Sequence, residues 1–532
     1  MVLRWGLLCA LGSLCLGCPL FAPPQESTFS EAGEDALNPP VIQGAHLFRF
    51  AHITDTQLVD DESPARTVLV DSLVNSAWRP QEAHGTQTLD ATLRVINDYH
   101  MNQVGGFPID FLVATGDLAD CAQKNEIRWF IDVMDGKAVL PDSGTPDGQN
   151  RPVAPADNPK LAFQAEGLHP DIPWYTVFGN HDGLAVGVFP ISDQDADPAN
   201  WYAPLFDPVA NVLGFFALSP PVSAMMPTLP QSPAAIFGTE PPMNPSTLQL
   251  LTEQLFPDRI VPDPDRHFLN QKLFIKEHFD TSTFPVGHGY TDEKRVNGQA
   301  FYSARPINGV PLRLVVLDTV SPLPVFGFPV EYGVLTRDQF ETFVKPEFEA
   351  AKTAGEWVIV LSHHPSSDFG RFYPGDNVSD VEFRDYLSTQ SNIIAHVCGH
   401  VHVNKVYRID GAYPYFEILT SSIIDYPQEA RILDAYYDQS TETLTLVSDL
   451  ISHMDNPTVL SQESFRRSVV DKDNRTGFLK QGMSWNELVE STGAPVFHTT
   501  THTHAPSSVE KFGMEEDRHF VARFHRPNPT KP

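Results

Sequence analysis

The sequence predicts an α/β fold, and three observations carry that expectation. Short apolar runs recur at Leu47 to Ile53, Asp110 to Ala114, Trp174 to Phe178, Leu312 to Leu317, Trp357 to Leu361 and Ile393 to Val397, as buried strands require. Helical periodicity lies between some of them. Each run stops at Gly, Asp, Asn or His, and in alternating strand–helix architectures the chemistry gathers where strands end and loops begin.

The elements follow in order along 532 residues. Arg4 precedes an uncharged apolar run from Gly6 to Phe21, which predicts a secretory signal over residues 1–18. The run is short for a membrane span and leads into Pro23-Pro24. Leu14-Cys15-Leu16-Gly17-Cys18 resembles the site of a bacterial lipoprotein, with a lipid on Cys18 as the only expected membrane link; ordinary cleavage near Gly17 or Ala22 is the alternative. The protein is therefore expected to be exported: periplasmic, at the cell surface or secreted. Residues 19–45, rich in Pro, Glu and Ser, read as a linker.

Residues 46–433 read as one folded domain. Thr336 and Gln339 form a capping-box pattern ahead of Phe340, Phe343, Val344, Phe348 and Ala351 at helical spacing, and Pro346 is expected to kink or split that helix. Residues from about 183 to 300 carry Pro220-Pro221, Pro227, Pro230, Pro233 and Pro241-Pro242 and read as a large insertion, shaping substrate access or merely elaborating the surface. Residues 434–532 read as a C-terminal extension. It begins with a strand pair, Ala435 to Tyr437 and Thr443 to Val447, and carries a His-rich tract from His498 to His504.

Composition limits the partners. A formal net charge of -31 repels nucleic-acid polymers and anionic headgroups, so no polynucleotide partner is expected. An acidic protein acting on a phosphate needs local positive charge, and bound metal ions supply it. Of five cysteines only Cys121 and Cys398 lie outside the leader region, too few for a disulfide scaffold; both are expected to be small buried hydrophobes.

Five motifs carry the chemistry. Ala51-His52-Ile53-Thr54-Asp55-Thr56-Gln57 delivers a carboxylate and, two residues on, a carboxamide. Ala114-Thr115-Gly116-Asp117 ends a strand at a glycine suited to a sharp turn. Phe178-Gly179-Asn180-His181-Asp182 places three polar residues in a row, costly to bury without partners. Val360-Leu361-Ser362-His363-His364-Pro365 and Val397-Cys398-Gly399-His400-Val401-His402 put histidines directly after apolar strands. One buried histidine is ordinarily a satisfied core residue, but four beside Asp, Asp and Asn at equivalent places call for a ligand.

Taken together, these motifs resemble the calcineurin-like metallophosphoesterase superfamily, whose pattern is Asp-x-His, Gly-Asp, Gly-Asn-His-(Asp/Glu), a His often followed by His-Pro, and Gly-His-x-His. The resemblance implies a β-sandwich of two mixed sheets flanked by helices. It implies a cofactor of two divalent or trivalent metal ions, with Asp117 bridging, Asp55, residue 57 and His402 on the first, and Asn180, His363 and His400 on the second. It further implies hydrolysis of a small-molecule phosphate ester by a metal-bound hydroxide, with His181 serving the leaving oxygen and Asp182 or Asp55 orienting it. The substrate class stays open among phosphodiester, nucleotide pyrophosphate and phosphomonoester.

Gln57 departs from the pattern, standing where the family has histidine. Its neutral oxygen is a weaker and harder donor than imidazole, which favours Mn or Fe, or Mg, over Zn at the first metal. The Asp-x-Gln variant resembles a branch that includes manganese-dependent pyrophosphatases. Arg371 is a candidate phosphate or nucleobase contact, Asn404 a candidate for orienting the last loop, and His364 is expected to pack beneath it. The competing reading is a catalytically degenerate exported metal-binding or surface protein of the same fold.

Overall fold

The computed structural model describes residues 29–31, 42, 44–63, 79–144, 154–191, 193, 196, 263–321, 332–370, 375–474 and 512–529. The expected signal at 1–18, Arg371, the His-rich tract and residues 197–262 of the expected insertion lie outside them. Among the described residues no helix is long and apolar enough to cross a membrane.

In chain order the strands of the two large sheets are β1 (Phe29–Glu31), β2 (Ala45–Ile53), β3 (Phe111–Ala114), β4 (Trp174–Thr176), β5 (Tyr302–Ala304), β6 (Leu312–Val316), β7 (Trp357–Leu361), β8 (Ile393–Cys398), β9 (Lys405–Ile409), β10 (Tyr415–Leu419), β11 (Glu429–Asp438), β12 (Thr443–Ser452) and β13 (Phe520–His525). The first sheet has seven strands in the order β1-β9-β10-β8-β7-β6-β5, and the second has six in the order β13-β12-β11-β2-β3-β4. Both are mixed. In the first, β6, β7, β8 and β10 run parallel, and in the second β2, β3 and β4 do. All six apolar runs became strands in these two sheets.

The alternation of side chains decides which face each sheet buries. In β7, Trp357, Ile359 and Leu361 point into the core shared with the second sheet, together with Phe50, Phe111 and Ala435. Val358 and Val360 point the other way, into a second core with Phe340, Phe348, Phe383 and Leu387. A strand buried on both faces needs no polar position, which is why these runs are continuously apolar. Burying residues of this size contributes roughly 1.5–3 kcal/mol each.

The helix after Thr336 forms with a break. The Thr336 hydroxyl accepts from Gln339 N at 3.2 Å, but the Gln339 side chain turns to Asp318, donating to its carbonyl at 2.7 Å, so only half of the capping box closes. One wide turn over Phe340–Val344 precedes the helix Lys345–Ala354, whose first turn holds Pro346. Val344 and Lys345 keep right-handed helical backbones and Lys345 N donates to Phe340 O, so the helix runs on through Pro346 and the wide turn accommodates the N–H that proline lacks.

Residues beyond 433 belong to the same layers. The expected domain end falls inside β11, and β12 and β13 extend the second sheet antiparallel from it. At the opposite edge, part of the expected insertion covers β4: Trp174 N donates to Phe284 O at 3.1 Å and Thr176 N to His288 O at 3.1 Å. That edge is thereby closed to further strand pairing.

Candidate metal centre

Parallel register brings the strand ends level. Ile53 pairs with Ala114 and Ala114 with Thr176, so the segments carrying Asp55, Gln57, Asp117 and Asn180 leave the second sheet together. Val316 pairs with Leu361 and Leu361 with Val397, which does the same for His363, His400 and His402 in the first sheet. All seven sequence-predicted ligands therefore sit at one end of the sandwich, four from one sheet and three from the other.

The turns that aim them are tight. Asp55, Gln57, Asp117, His400 and His402 all have left-handed backbones, with φ of 50°, 36°, 52°, 69° and 57°. For residues with a Cβ this costs on the order of 1 kcal/mol each, and such strain collects where a site needs particular side-chain directions. Glycines make the approach possible. A Cβ on Gly179 would lie 2.2 Å from Asp117 N, and one on Gly399 would lie 2.5 Å from Asp55 Oδ2. The motif glycines thus serve contact between loops as much as turning.

Orphaned donor atoms converge here. Asp55 Oδ1, Gln57 Oε1, Asn180 Oδ1 and His363 Nε2 are buried without a hydrogen-bond partner. Their other atoms are engaged: Asp55 Oδ2 accepts from Thr54 Oγ1 at 2.7 Å and from His400 N at 2.9 Å, while Asn180 Nδ2 donates to Gly187 O at 3.0 Å. His363 Nδ1 donates to Thr115 O at 2.8 Å, which fixes the tautomer and turns Nε2 inward, 3.1 Å from Asp117 Oδ2 and 4.0 Å from Asp55 Oδ1. His402 Nδ1 donates to Asp425 at 2.9 Å, with Nε2 3.2 Å from Asp55 Oδ1. An unsatisfied buried polar atom costs about 1–3 kcal/mol, so four converging in one place fit a cation-binding site.

Ligand atoms of Asp55, Asp117 and His363 lie within 4.8 Å of one another, as do those of His363, His364 and His400. His364, expected only to pack beneath the loop, holds Thr319 Oγ1 at 2.8 Å through Nδ1, and its ring centroid is 4.4 Å from that of His400. Oxygen and imidazole donors in this mixture suit Mn, Fe, Zn or Co rather than thiolate-preferring ions. The residues present fit the two-metal set.

Charge is balanced within the cradle. Burial alone would lower the His363 pKa, but the carboxylates of Asp117 and Asp55 lift it to about 9. Burial works against Asp117 too, yet His363 and His181 hold it well below the usual carboxylate range. His400 is pushed down to about 3 by burial and by the neighbouring His363 charge.

The structure separates His181 from Asp182. The His181 ring is partly exposed, its Nδ1 donates to Asp120 O at 2.6 Å, and Asp120 Oδ1 lies 3.7 Å away. Asp182 is fully buried and accepts from the amides of Asp117 at 2.9 Å, Leu118 at 2.8 Å, Ala119 at 3.1 Å and Gly179 at 2.9 Å. Burial and the Asp117 carboxylate push its pKa up to about 7, against amides that favour the anion. It ties two motif loops together, whereas Asp120 takes the place beside His181 for which Asp182 or Asp55 had been the expected occupant. Asp55 is engaged through Oδ2 by Thr54 and His400 instead.

Sequence reasoning missed Asp120, Asp425 and Gly187. Asp120 had a readable signal, three residues after Asp117. Gly187 had none: it is placed beside the site by the turn after Asp182, where a Cβ would come within 2.4 Å of His181 Nε2. Asn404 orients its loop as expected, accepting from Ser421 N at 3.0 Å and donating to Glu429 at 2.9 Å.

Two mixed sheets with Asp, His and carboxamide donors at one end are the arrangement that the motifs' resemblance to metallophosphoesterases implied. The family model described as calcineurin-like phosphoesterase matches residues 48–230, and the resemblance carried by the motifs is borne out there. His363, His400 and His402 lie beyond that stretch, and the fold brings them to it. Among solved structures, a dimetal phosphatase from Danio rerio is 13% identical, with the match covering 77% of this chain and 97% of that one at a TM-score of 0.32. Curated proteins yield no match.

Proposed function

We propose that this protein is an exported dinuclear-metal phosphoesterase acting on a small-molecule phosphate ester. One observation carries the reading. The buried donor atoms left without hydrogen bonds, Asp55 Oδ1, Gln57 Oε1, Asn180 Oδ1 and His363 Nε2, belong to four of the seven residues expected to hold the metals.

Asp55, Gln57, Asp117 and His402 would hold one ion, and Asp117, Asn180, His363 and His400 the other. Bound there, two ions supply Lewis acidity, an activated water and the positive charge that a chain of net charge -31 otherwise lacks. The rest falls to the chain's own groups. His181, with Nδ1 held by Asp120, presents its other nitrogen to the leaving oxygen and delivers a proton there. Asp117 accepts from His181 N at 2.8 Å and so sets the distance between that proton donor and the cradle. Mn or Fe is the proposed metal because Gln57 brings a neutral oxygen to a place where imidazole would favour Zn. Export rests on the apolar run from Gly6 to Phe21, with Cys18 as the proposed lipid attachment point.

The test is metal analysis of purified protein together with hydrolysis of an aryl phosphate monoester and diester under added Mn. Bound transition metal and turnover well above an Asp117→Asn control are expected. Absence of both would sink the reading in favour of a degenerate relative. A panel of cyclic nucleotides, nucleotide sugars, glycerophosphodiesters and monoesters then identifies the ester.

A further inference from the structure

The two halves of the cradle come from different sheets, so something must hold the sheets' loops in register behind it. Arg79 is placed to do so. It is buried to 2% exposure in the loop before the first long helix, Gly85–Met101. Its Nη1 donates to Asp120 Oδ1 at 3.1 Å, and its Nε lies 3.1 Å from Asp425 Oδ1.

Each of those carboxylates stands behind one histidine of the site. Asp120 lies beside His181, and Asp425 accepts from His402 at 2.9 Å through its second oxygen. Asp120 follows β3 of the second sheet and Asp425 follows β10 of the first. We propose that Arg79 is a positioning residue that clamps the two sheets' loops together, setting His181 and His402 through one guanidinium. The inference rests on the metal-centre reading above.

The clamp is itself anchored. Arg79 N donates to Glu82 at 2.7 Å, Gln81 Nε2 donates to Asp425 Oδ1 at 3.3 Å, and Arg467 from the helix Val459–Asn474 donates to Pro80 O at 3.2 Å. A planar guanidinium spans two carboxylates at once, which a lysine ammonium on a flexible stem does not reproduce. Without the cation, two buried carboxylates would lose the charge that both of them face, and the loops that carry His181 and His402 would no longer be fixed to each other.

The experiment compares wild type, Arg79→Met, Arg79→Lys, Asp120→Asn and Asp425→Asn as full-length proteins. Mn binding is measured by equilibrium dialysis, and kcat and KM with an aryl phosphodiester at saturating Mn. Outer-shell partners of this kind are worth roughly 10–100-fold in metal affinity or activity. Asp425→Asn is expected to weaken Mn binding by about tenfold with kcat largely kept, and Asp120→Asn to lower kcat by about tenfold with Mn binding kept. Arg79→Met is expected to show both losses with KM little changed, and Arg79→Lys to recover them only in part.

Folded Arg79→Met with wild-type Mn binding and kcat would overturn the proposal, and so would a loss confined to one of the two readouts. Where Arg79→Met does not fold, wild-type values for Arg79→Lys overturn it. Wild-type protein that binds Mn but hydrolyses no ester would remove the catalytic reading while leaving the binding comparison to judge the clamp.

Discussion

Gln57 donates its Nε2 to Asp117 Oδ2 at 3.4 Å, and its Oε1 is left buried without a hydrogen-bond partner. The one residue that departs from the family pattern is thus oriented by the proposed bridging carboxylate, with its oxygen kept for a cation. Gln57→His should tighten the first metal, since imidazole binds borderline ions better than a carboxamide oxygen. The expected outcome is a drop of about tenfold in the Zn concentration for half activation and a smaller drop for Mn. An unchanged metal dependence would show that Gln57 is not a ligand.

Asp182 holds four amides, so its chemistry is tested as structure. Asp182→Asn replaces an acceptor oxygen with a donor amide facing N–H groups. Hydrogen bonds to a charged group are worth roughly 1.5–3 kcal/mol each, and a loss of about 3 kcal/mol in unfolding free energy is expected. Urea denaturation measures it. Reduced turnover with undiminished stability would instead return Asp182 to a part in the chemistry.

The pairing of His363 with Asp117 sets a pH window for metal-free protein. His363 has a folded pKa of about 9, above its ordinary 6.5, so its contribution is full below pH 6.5 and is lost as pH rises through 9. Asp117 is held below the usual range, so its contribution is present above its unfolded pKa and is lost only in strong acid. Metal must displace the His363 proton, and binding should therefore tighten as pH rises toward 9 with release of a proton. Calorimetry in buffers of different ionisation enthalpy counts that proton; a pH-independent affinity between 6.5 and 9 would contradict the pairing.

The C-terminal segment supports the last histidine loop. Arg518 pairs with Glu429 at 2.7 Å, Asp517 accepts from Val406 N at 2.9 Å, and Phe512 O accepts from Asn404 at 3.3 Å. Arg518→Met leaves the Glu429 carboxylate buried with its main cation gone, which costs about 3–5 kcal/mol. A fall in melting temperature together with weaker metal binding is expected. Melting like wild type would mean that the pair contributes nothing measurable.

Much of this site is legible in the sequence. Asp117, Asn180, His363, His400 and His402 stand directly after apolar runs, and a run that ends in a metal-competent side chain announces both a strand and its exit. Asp120 could be read from its place three residues after Asp117, whereas Asp425 could not, because it has no fixed spacing from the histidine it orients and is identified only by what it touches. Arg79 was beyond reach, since nothing in an isolated arginine tells that it bridges two sheets.

The sequence by itself determined which residues are strands, which residues end them and which donor types they offer, because side-chain period and turn chemistry act over a few neighbours. Only the tertiary structure decided that β6, β7, β8 and β10 level three histidines opposite four donors from β2, β3 and β4. It also decided that β12 and β13 complete the sheet beyond residue 433, and that Asp182 serves backbone amides while Asp120 serves His181. Register, sheet-on-sheet packing and the pairing of buried charges depend on residues hundreds of positions apart, and the energy of burying a donor without a partner is defined only once those residues meet.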